Sequence, residues 1–125
     1  MALSERDHVE QAMLTLASVV WEVRRAYPRM ELGQLHVLLL VLGKPGLGMS
    51  DLIAPTELTK SAVSRNTSAL SAVSYLPSDT GDRRNGLGLV ALEEHPDDAR
   101  AKNVRPTPKG RRLAERLTSL LDGGR

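Results

Sequence analysis

Five side chains just after Thr59 could do chemistry together: Lys60, Ser61, Ser64, Arg65 and Ser68. If this stretch is a helix, about 100° per residue places Ser61, Ser64, Arg65 and Ser68 on one side. Ala62, Val63, Ala69, Leu70 and Val73 fall on the other. Small hydroxyls let a helix lie close to base edges, and an arginine can grip guanine O6/N7 or a phosphate. The alternative is an ordinary solvated helix face. Serine is not a preferred helix former, so Ser61, Ser64, Ser68 and Ser71 in one helix need a reason beyond solubility.

Other chemistries find less support. Glu93, Glu94, Asp97 and Asp98 invite a metal or acid/base reading, but they gather at an expected hairpin end with no nucleophile beside them. Asp98 is better suited to orienting Arg100 or closing the turn. His8 and His36 have no second ligand at metal spacing, and GKPGLG (43–48) lacks the spacing and the Lys-Ser/Thr of a phosphate loop. The absence of cysteine removes disulfides, thiolate catalysis and Cys-ligated zinc together. With no nucleophile–base pair, metal cluster or phosphate loop, the chain does not read as an enzyme, and no cofactor or metal is expected.

The 125 residues suit a single domain, with a core that Leu, Val and Ala must fill because there is no Phe. No run reaches the roughly 18 apolar residues of a membrane span, and MALSERDHVEQ is no signal peptide, so a cytoplasmic protein is expected. The net charge is only +2, but its distribution is uneven. Residues 1–58 hold 5 Lys/Arg against 7 Asp/Glu, and 59–125 hold 12 against 8, giving −2 and +4. Positive charge gathers from the candidate reading helix onward, as on a nucleic-acid-binding face.

The elements that must position these side chains can be read in order. Ser4 caps a helix over 4–27 in which Val9, Met13, Leu16, Ala17, Val20, Trp21, Val23 and Tyr27 recur at helical spacing until Pro28. Its wide stripe suits either a subunit interface or the chain's own core. A second helix over 31–42 offers Leu32, Leu35, Leu38, Leu39 and Leu42 as a core face, and VLLLVL predicts burial on most sides. Gly43 and the following Lys-Pro-Gly end it through a left-handed cap and a turn.

Over 49–73, Ser50 starts a short helix with Leu52 and Ile53 inward, and Pro55 predicts that it is short or distorted. Thr59 caps the next helix. The turn-rich 74–87 reads as a flexible loop carrying Arg83 and Arg84, either a phosphate-contacting arm or a solvated linker. A wing follows over 88–106, with strands at 88–94 and 102–106 and Arg100 and Lys102 at or beside its tip. Thr107-Pro108 starts a last helix over 108–122, striped by Leu113, Leu117, Leu120 and Leu121 and ended by Gly123-Gly124.

This order predicts a mainly α fold with a small β-hairpin wing: a winged helix-turn-helix with a helix added at each end. With SDLIAPTELTKSAVSR (50–65), GLGLV (86–90), DDAR (97–100) and TPKGRRLAERL (107–117) in that order, the chain resembles the MarR family of transcriptional regulators. Ser64-Arg65-Asn66 with GLGLV is closest to a compact, phage- or prophage-associated variant. The resemblance implies that Thr59–Ser68 is the recognition helix, with Lys60, Ser61, Ser64, Arg65 and Ser68 facing the groove and phosphates. It also implies that Arg100 reaches the minor groove with Asp98 holding it. It further implies a homodimer, usually a repressor, joined through the terminal helices: Val9, Met13, Leu16 and Val20 from the first, Leu113, Leu117, Leu120 and Leu121 from the last. The chain departs from the family pattern where Glu57 replaces the corner glycine and Ala99 the first wing arginine.

The leading expectation is therefore a sequence-specific regulator of double-stranded DNA. In it Ser61, Ser64, Ser68 and Arg65 read the major groove, Lys60, Arg83 and Arg84 bind phosphates, Arg100 enters the minor groove, and Lys102 beside the wing tip joins the DNA-binding set. The alternative, from a different class, is a winged-helix protein-interaction module, such as a phage-encoded modulator of a host protein.

Overall fold

In the computed structural model of the chain, residues 4–77, 83–95 and 98–123 are described, with side chains described except at 73–77, 83–85, 95 and 98–101. Ser4 accepts from the Asp7 N–H at 3.2 Å and opens helix α1, Glu5–Ala26, as its sequence requires. Helix α2 spans Leu32–Gly43, strand β1 Leu47–Gly48, a 3-10 turn Met49–Leu52, and the four-residue helix α3 Ile53–Thr56. Helix α4 covers Lys60–Leu70, followed by strands β2 (Val73–Pro77), β3 (Arg83–Asn85), β4 (Val90–His95) and β5 (Asp98–Pro106) and helix α5 (Pro108–Leu121). The architecture is mainly α with a small wing: a winged helix-turn-helix with a helix added at each end.

Two units hold most of their contacts internally, Glu31–Arg112 and Met1–Met30 with Leu113–Arg125. In the first, Val37, Leu38, Val41, Leu52, Val63, Leu70, Leu89, Val90 and Val104 are fully or almost fully buried. This aliphatic set does the work that aromatics do elsewhere. β1, β5 and β4 form an antiparallel sheet in that order, with Leu47 opposite Val104 and Leu92 opposite Val104 from the other side.

Several expectations change. VLLLVL is not buried all round: Val37, Leu38 and Val41 face inward, while Leu32 and Leu39 of the expected core face are exposed. A segment apolar on every side carries no phase, so only tertiary contacts choose its inner face. The left-handed glycine after α2 is Gly46 (φ +92°), and Gly43 remains helical. Residues 74–87 are not simply a loop, because β2 and β3 pair antiparallel there, Val73 with Asn85 and Pro77 with Arg83. The return strand of the wing begins at Asp98, four residues before the expected start.

In the second unit, Glu22 lies almost buried on α1. Its carboxylate accepts from Arg25 Nη2 at 2.6 Å and from Arg116 Nε at 3.2 Å. The Arg25 hydrogen bond and the Arg25 charge, with a smaller contribution from Arg116, outweigh desolvation and hold the Glu22 carboxyl below its ordinary range. Arg25 also lies over the Trp21 ring, 5.5 Å from its centroid. Leu113 and Leu117 are buried, at 0% and 5% exposure, so the expected interface set from the last helix shrinks to half-buried Leu120 and exposed Leu121. Their i, i+4 spacing marks an inner stripe of the chain's own interior. The row Val9, Met13, Leu16 and Val20, with Leu14 and Trp21, is exposed.

Candidate nucleic-acid interface

The candidate site begins with how α4 is held. The Thr59 hydroxyl accepts from the Ala62 N–H at 3.0 Å and caps the helix start. Val63, Thr67 and Leu70 turn inward, and the Thr67 hydroxyl donates to the Val63 and Ser64 carbonyls, both at 3.0 Å. Lys60, Ser61, Ser64 and Arg65 are left on the open side. Ser68 lines one cleft with Lys60 and Ser64 but is far less exposed than they are. It shares their azimuth but is buried, as is Ser71, whose hydroxyl donates to the Ser68 carbonyl at 2.6 Å. The last turn of α4 is covered by the chain returning toward the wing, which a helical projection cannot show.

The corner before α4 is formed without glycine. Glu57 takes the left-handed conformation at φ 55°, ψ 20°, and its N–H donates to the Ile53 carbonyl at 2.8 Å. The Thr56 hydroxyl accepts from the Leu58 N–H at 3.3 Å. Pro55 sits in the first turn of α3, where its missing N–H breaks no helical hydrogen bond, and the preceding turn tightens to 3-10. Asp51, not Ser50, performs the capping there, accepting from the Gly48 N–H at 3.0 Å.

The segment 86–89 joins α4 to the wing. N–H groups of Gly86, Leu87, Gly88 and Leu89 donate to the carbonyls of Ala72, Ala69, Ser71 and Leu70 at 2.8–3.0 Å. They supply partners for carbonyls that a helix end would leave bare. A Cβ on Gly86 would stand 1.7 Å from the Ser71 carbonyl oxygen, so only glycine allows this approach. α5 starts from the same place: the Thr107 hydroxyl donates to the Gly88 carbonyl at 2.6 Å and accepts from the Gly110 N–H at 3.1 Å. Lys109 Nζ donates to the Leu87 carbonyl at 2.8 Å. Composition gave no sign of this three-way junction; only the GLGLV resemblance marked the segment.

Between α4 and the wing lies a cleft of about 540 Å³ whose lining includes Lys60, Val63, Ser64, Ser68, Leu92 and Lys102. Among the described residues, Lys60, Arg65 and Lys102 have no carboxylate within ion-pair distance, whereas Arg105 on the wing pairs with Glu93 at 2.9 Å. Among the described residues, the open side therefore carries positive charge without an ion-pair partner beside small hydroxyls. Arg83, Arg84, Asp98 and Arg100 lie on β3 and β5 with side chains outside the described residues. No group of three or more metal-ligating side chains occurs among the described residues, and none of their helices is long and apolar enough to cross a membrane.

The chain is similar to solved structures of transcriptional regulators. With the PcaV regulator from Streptomyces coelicolor it shares 20% identity over 99% of this chain and 80% of that one, with a TM-score of 0.59. With a MarR transcriptional regulator from Methanosarcina mazei Go1 the identity is 14%, the coverage 95% and 74%, and the TM-score 0.60. With the crystal structure of MarR the identity is 18%, the coverage 88% and 77%, and the TM-score 0.53. At these identities the likeness establishes the fold. No family model and no curated protein sequence matches the chain.

Proposed function

We propose that the chain is a sequence-specific DNA-binding transcription regulator of the MarR kind, a cytoplasmic homodimer that represses, in the compact form associated with phages and prophages. One observation carries this reading. A capped helix presents Ser61, Ser64 and Arg65 on its open side, with Lys60 and Lys102 beside it and free of ion pairs among the described residues, and its far end is hydrogen-bonded into the root of a wing. The solved structures that share this fold are named as transcriptional regulators.

In the proposed mode, α4 enters the major groove, where Arg65 takes guanine O6/N7 and the hydroxyls of Ser61 and Ser64 allow close approach. Lys60, Lys102, Arg83 and Arg84 neutralise phosphates, and Arg100 enters the adjacent minor groove with Asp98 holding it. Ser68, nearly buried at the edge of the cleft, leaves most of the reading to the others. The homodimer reading rests on α1. Val9, Met13, Leu16 and Val20 follow one another at spacings of three and four and stand about half exposed, with Leu121 beside Leu16. Covering the exposed half of such side chains contributes about 1 kcal/mol each. The chemistry assigned here is binding, with no catalytic step.

The deciding experiment selects duplexes from a random library with the purified chain, beside a solution mass measurement. A selected sequence with half-sites about one helical turn apart and a mass of two chains is expected. If Arg65→Ala holds the selected site as tightly as the parent, α4 is not the recognition helix.

A further inference from the structure

Helix α1 carries a second exposed apolar row beside the one assigned above to the dimer. Leu14 and Trp21 stand two turns apart, about 120° around the helix from Val9, Met13, Leu16 and Val20. At 65% and 59% exposure they are more exposed than any member of the first row. They lie on the far side of α1 from Val23, which is buried in the chain's own interior. The ends of the row are charged and opposite. Glu10 lies one turn before Leu14, and Arg25 one turn after Trp21. Glu10 is held by Arg6 in an exposed pair at 3.2 Å, of a kind that contributes little. Arg25 gives Nε and Nη2 to Glu22 and lies over the Trp21 ring, while its Nη1 makes no hydrogen bond among the described residues. Read along the helix the row is Glu, Leu, Trp, Arg, and reversed it is its own complement.

We propose that this row is a second self-association face, on which α1 of another copy lies antiparallel across a two-fold axis between Ala17 and Ser18. Each Leu14 then covers the second copy's Trp21, and each Glu10 meets its Arg25. Charge selects both the occupant and its direction. A parallel pair would set Glu10 against Glu10 and Arg25 against Arg25, and a uniformly acidic or basic partner would be repelled at one end. A two-fold interface requires just such a self-complementary row. The small Ala17 and Ser18 at the axis let the two helices approach closely. Tryptophan and arginine are also the side chains that most often anchor protein interfaces. One helix against one helix is a narrow contact of the weak, concentration-dependent class. The face does not depend on the DNA reading. On the dimer reading it joins two dimers into four chains, and without that reading it forms the pair by itself.

The test follows the fluorescence of Trp21, the chain's only tryptophan, while sedimentation gives the mass of the full chain over the same concentration series. The parent is expected to double in mass in a step that coincides with a blue shift of Trp21 emission and weaker quenching by acrylamide. Leu14→Asp should abolish that step. Glu10→Lys should weaken it by about threefold or more, since two like-charged pairs replace two opposite ones. Glu5→Lys makes the same change of net charge on the opposite side of α1 and should leave the step in place. Met13→Asp, in the other row, should remove the other association and keep this one. All four positions are exposed, so the variants keep the fold. Trp21 emission that is constant with concentration, a Leu14→Asp chain that associates like the parent, or a Met13→Asp chain that loses the Trp21 response overturns the second face. Equal effects of Glu10→Lys and Glu5→Lys overturn the antiparallel pairing. A Trp21 step that persists while Met13→Asp leaves every mass unchanged supports this face and overturns the dimer reading alone.

Discussion

Arg116 Nε lies 3.2 Å from Glu22 Oε1 and joins α5 to α1 across 94 positions of sequence. Arg25 holds the same carboxylate from one turn further along α1, at 2.6 Å. Glu22 is thus a charged group almost enclosed by the protein and matched by two guanidiniums. Its depressed pKa gives a signed expectation. The charged form is favoured in the folded state, so its stabilisation is complete above the unfolded value, near 4.5, and is lost as pH falls through the lower folded value. Melting temperatures of the parent and of Glu22→Gln should therefore differ at neutral pH and converge as the pH drops below about 4.5. A difference that persists unchanged into acid would show that the carboxylate's charge is not what matters.

The left-handed corner at Glu57 stores backbone strain that glycine would release. Glu57→Gly should stabilise the fold by about 0.5–1 kcal/mol, the left-handed penalty partly offset by the looser unfolded chain. Glu57→Val should cost about 1 kcal/mol, since a branched side chain fits this region worse. Denaturant titration of the three chains decides it, and a destabilised glycine variant would contradict the assigned conformation.

Two glycines should respond in opposite directions to the same methyl group. Gly86→Ala forces a Cβ into the Ser71 carbonyl and disturbs the neighbouring N–H donors, for a loss of about 2–4 kcal/mol. Gly43 ends α2 with nothing within 4 Å of a Cβ, so Gly43→Ala should gain a few tenths to about 1 kcal/mol. Chemical denaturation measures both. Equal effects would contradict the close approach at Gly86.

On the DNA reading, phosphate contacts and base contacts separate by their salt behaviour. Lys60→Gln and Lys102→Gln should each lower the slope of log affinity against log salt by about 1, with little change in sequence preference. Arg65→Ala should cost about 1–3 kcal/mol and relax preference at one base position. Fluorescence anisotropy over a salt series resolves these, and an Arg65 variant with intact preference would move base reading to another residue.

On the dimer reading, Met13→Asp or Leu16→Asp places a charge in the middle of the α1 face. The dissociation constant of the dimer should rise at least about tenfold, equivalent to losing about 1.4 kcal/mol or more. Sedimentation at several concentrations measures it. A variant that sediments like the parent would remove α1 from the interface.

Much of the fold is legible in the sequence where the deciding interactions are local. Ser4, Thr59 and Thr107 before Pro108 announce helix starts, and all three hydroxyls accept from a backbone N–H there. Where distant partners decide, local pattern fails. Ser68 has the azimuth of Ser61 yet is enclosed, and Leu113 and Leu117 show a stripe without showing what covers it. Turn-forming residues at 74–87 conceal the pairing of β2 with β3, because asparagine and proline are poor strand formers, yet Asn85 pairs with Val73 and Pro77 with Arg83. The Glu22–Arg116 pair has no sequence signature, since nothing near either residue names the other.

The pairing of Val73 with Asn85 means that the β2–β3 ribbon leaves and returns at a single point. Its ends meet just beyond α4, directly before the anchoring segment 86–89. Its length is therefore decoupled from the spacing between α4 and the wing. Such a detour can be shortened, lengthened or exchanged as a cassette while the framework around it keeps its dimensions. Variation within β2 and β3 could therefore change the contacts made there, those of Arg83 and Arg84 included, without re-aiming α4 or the wing.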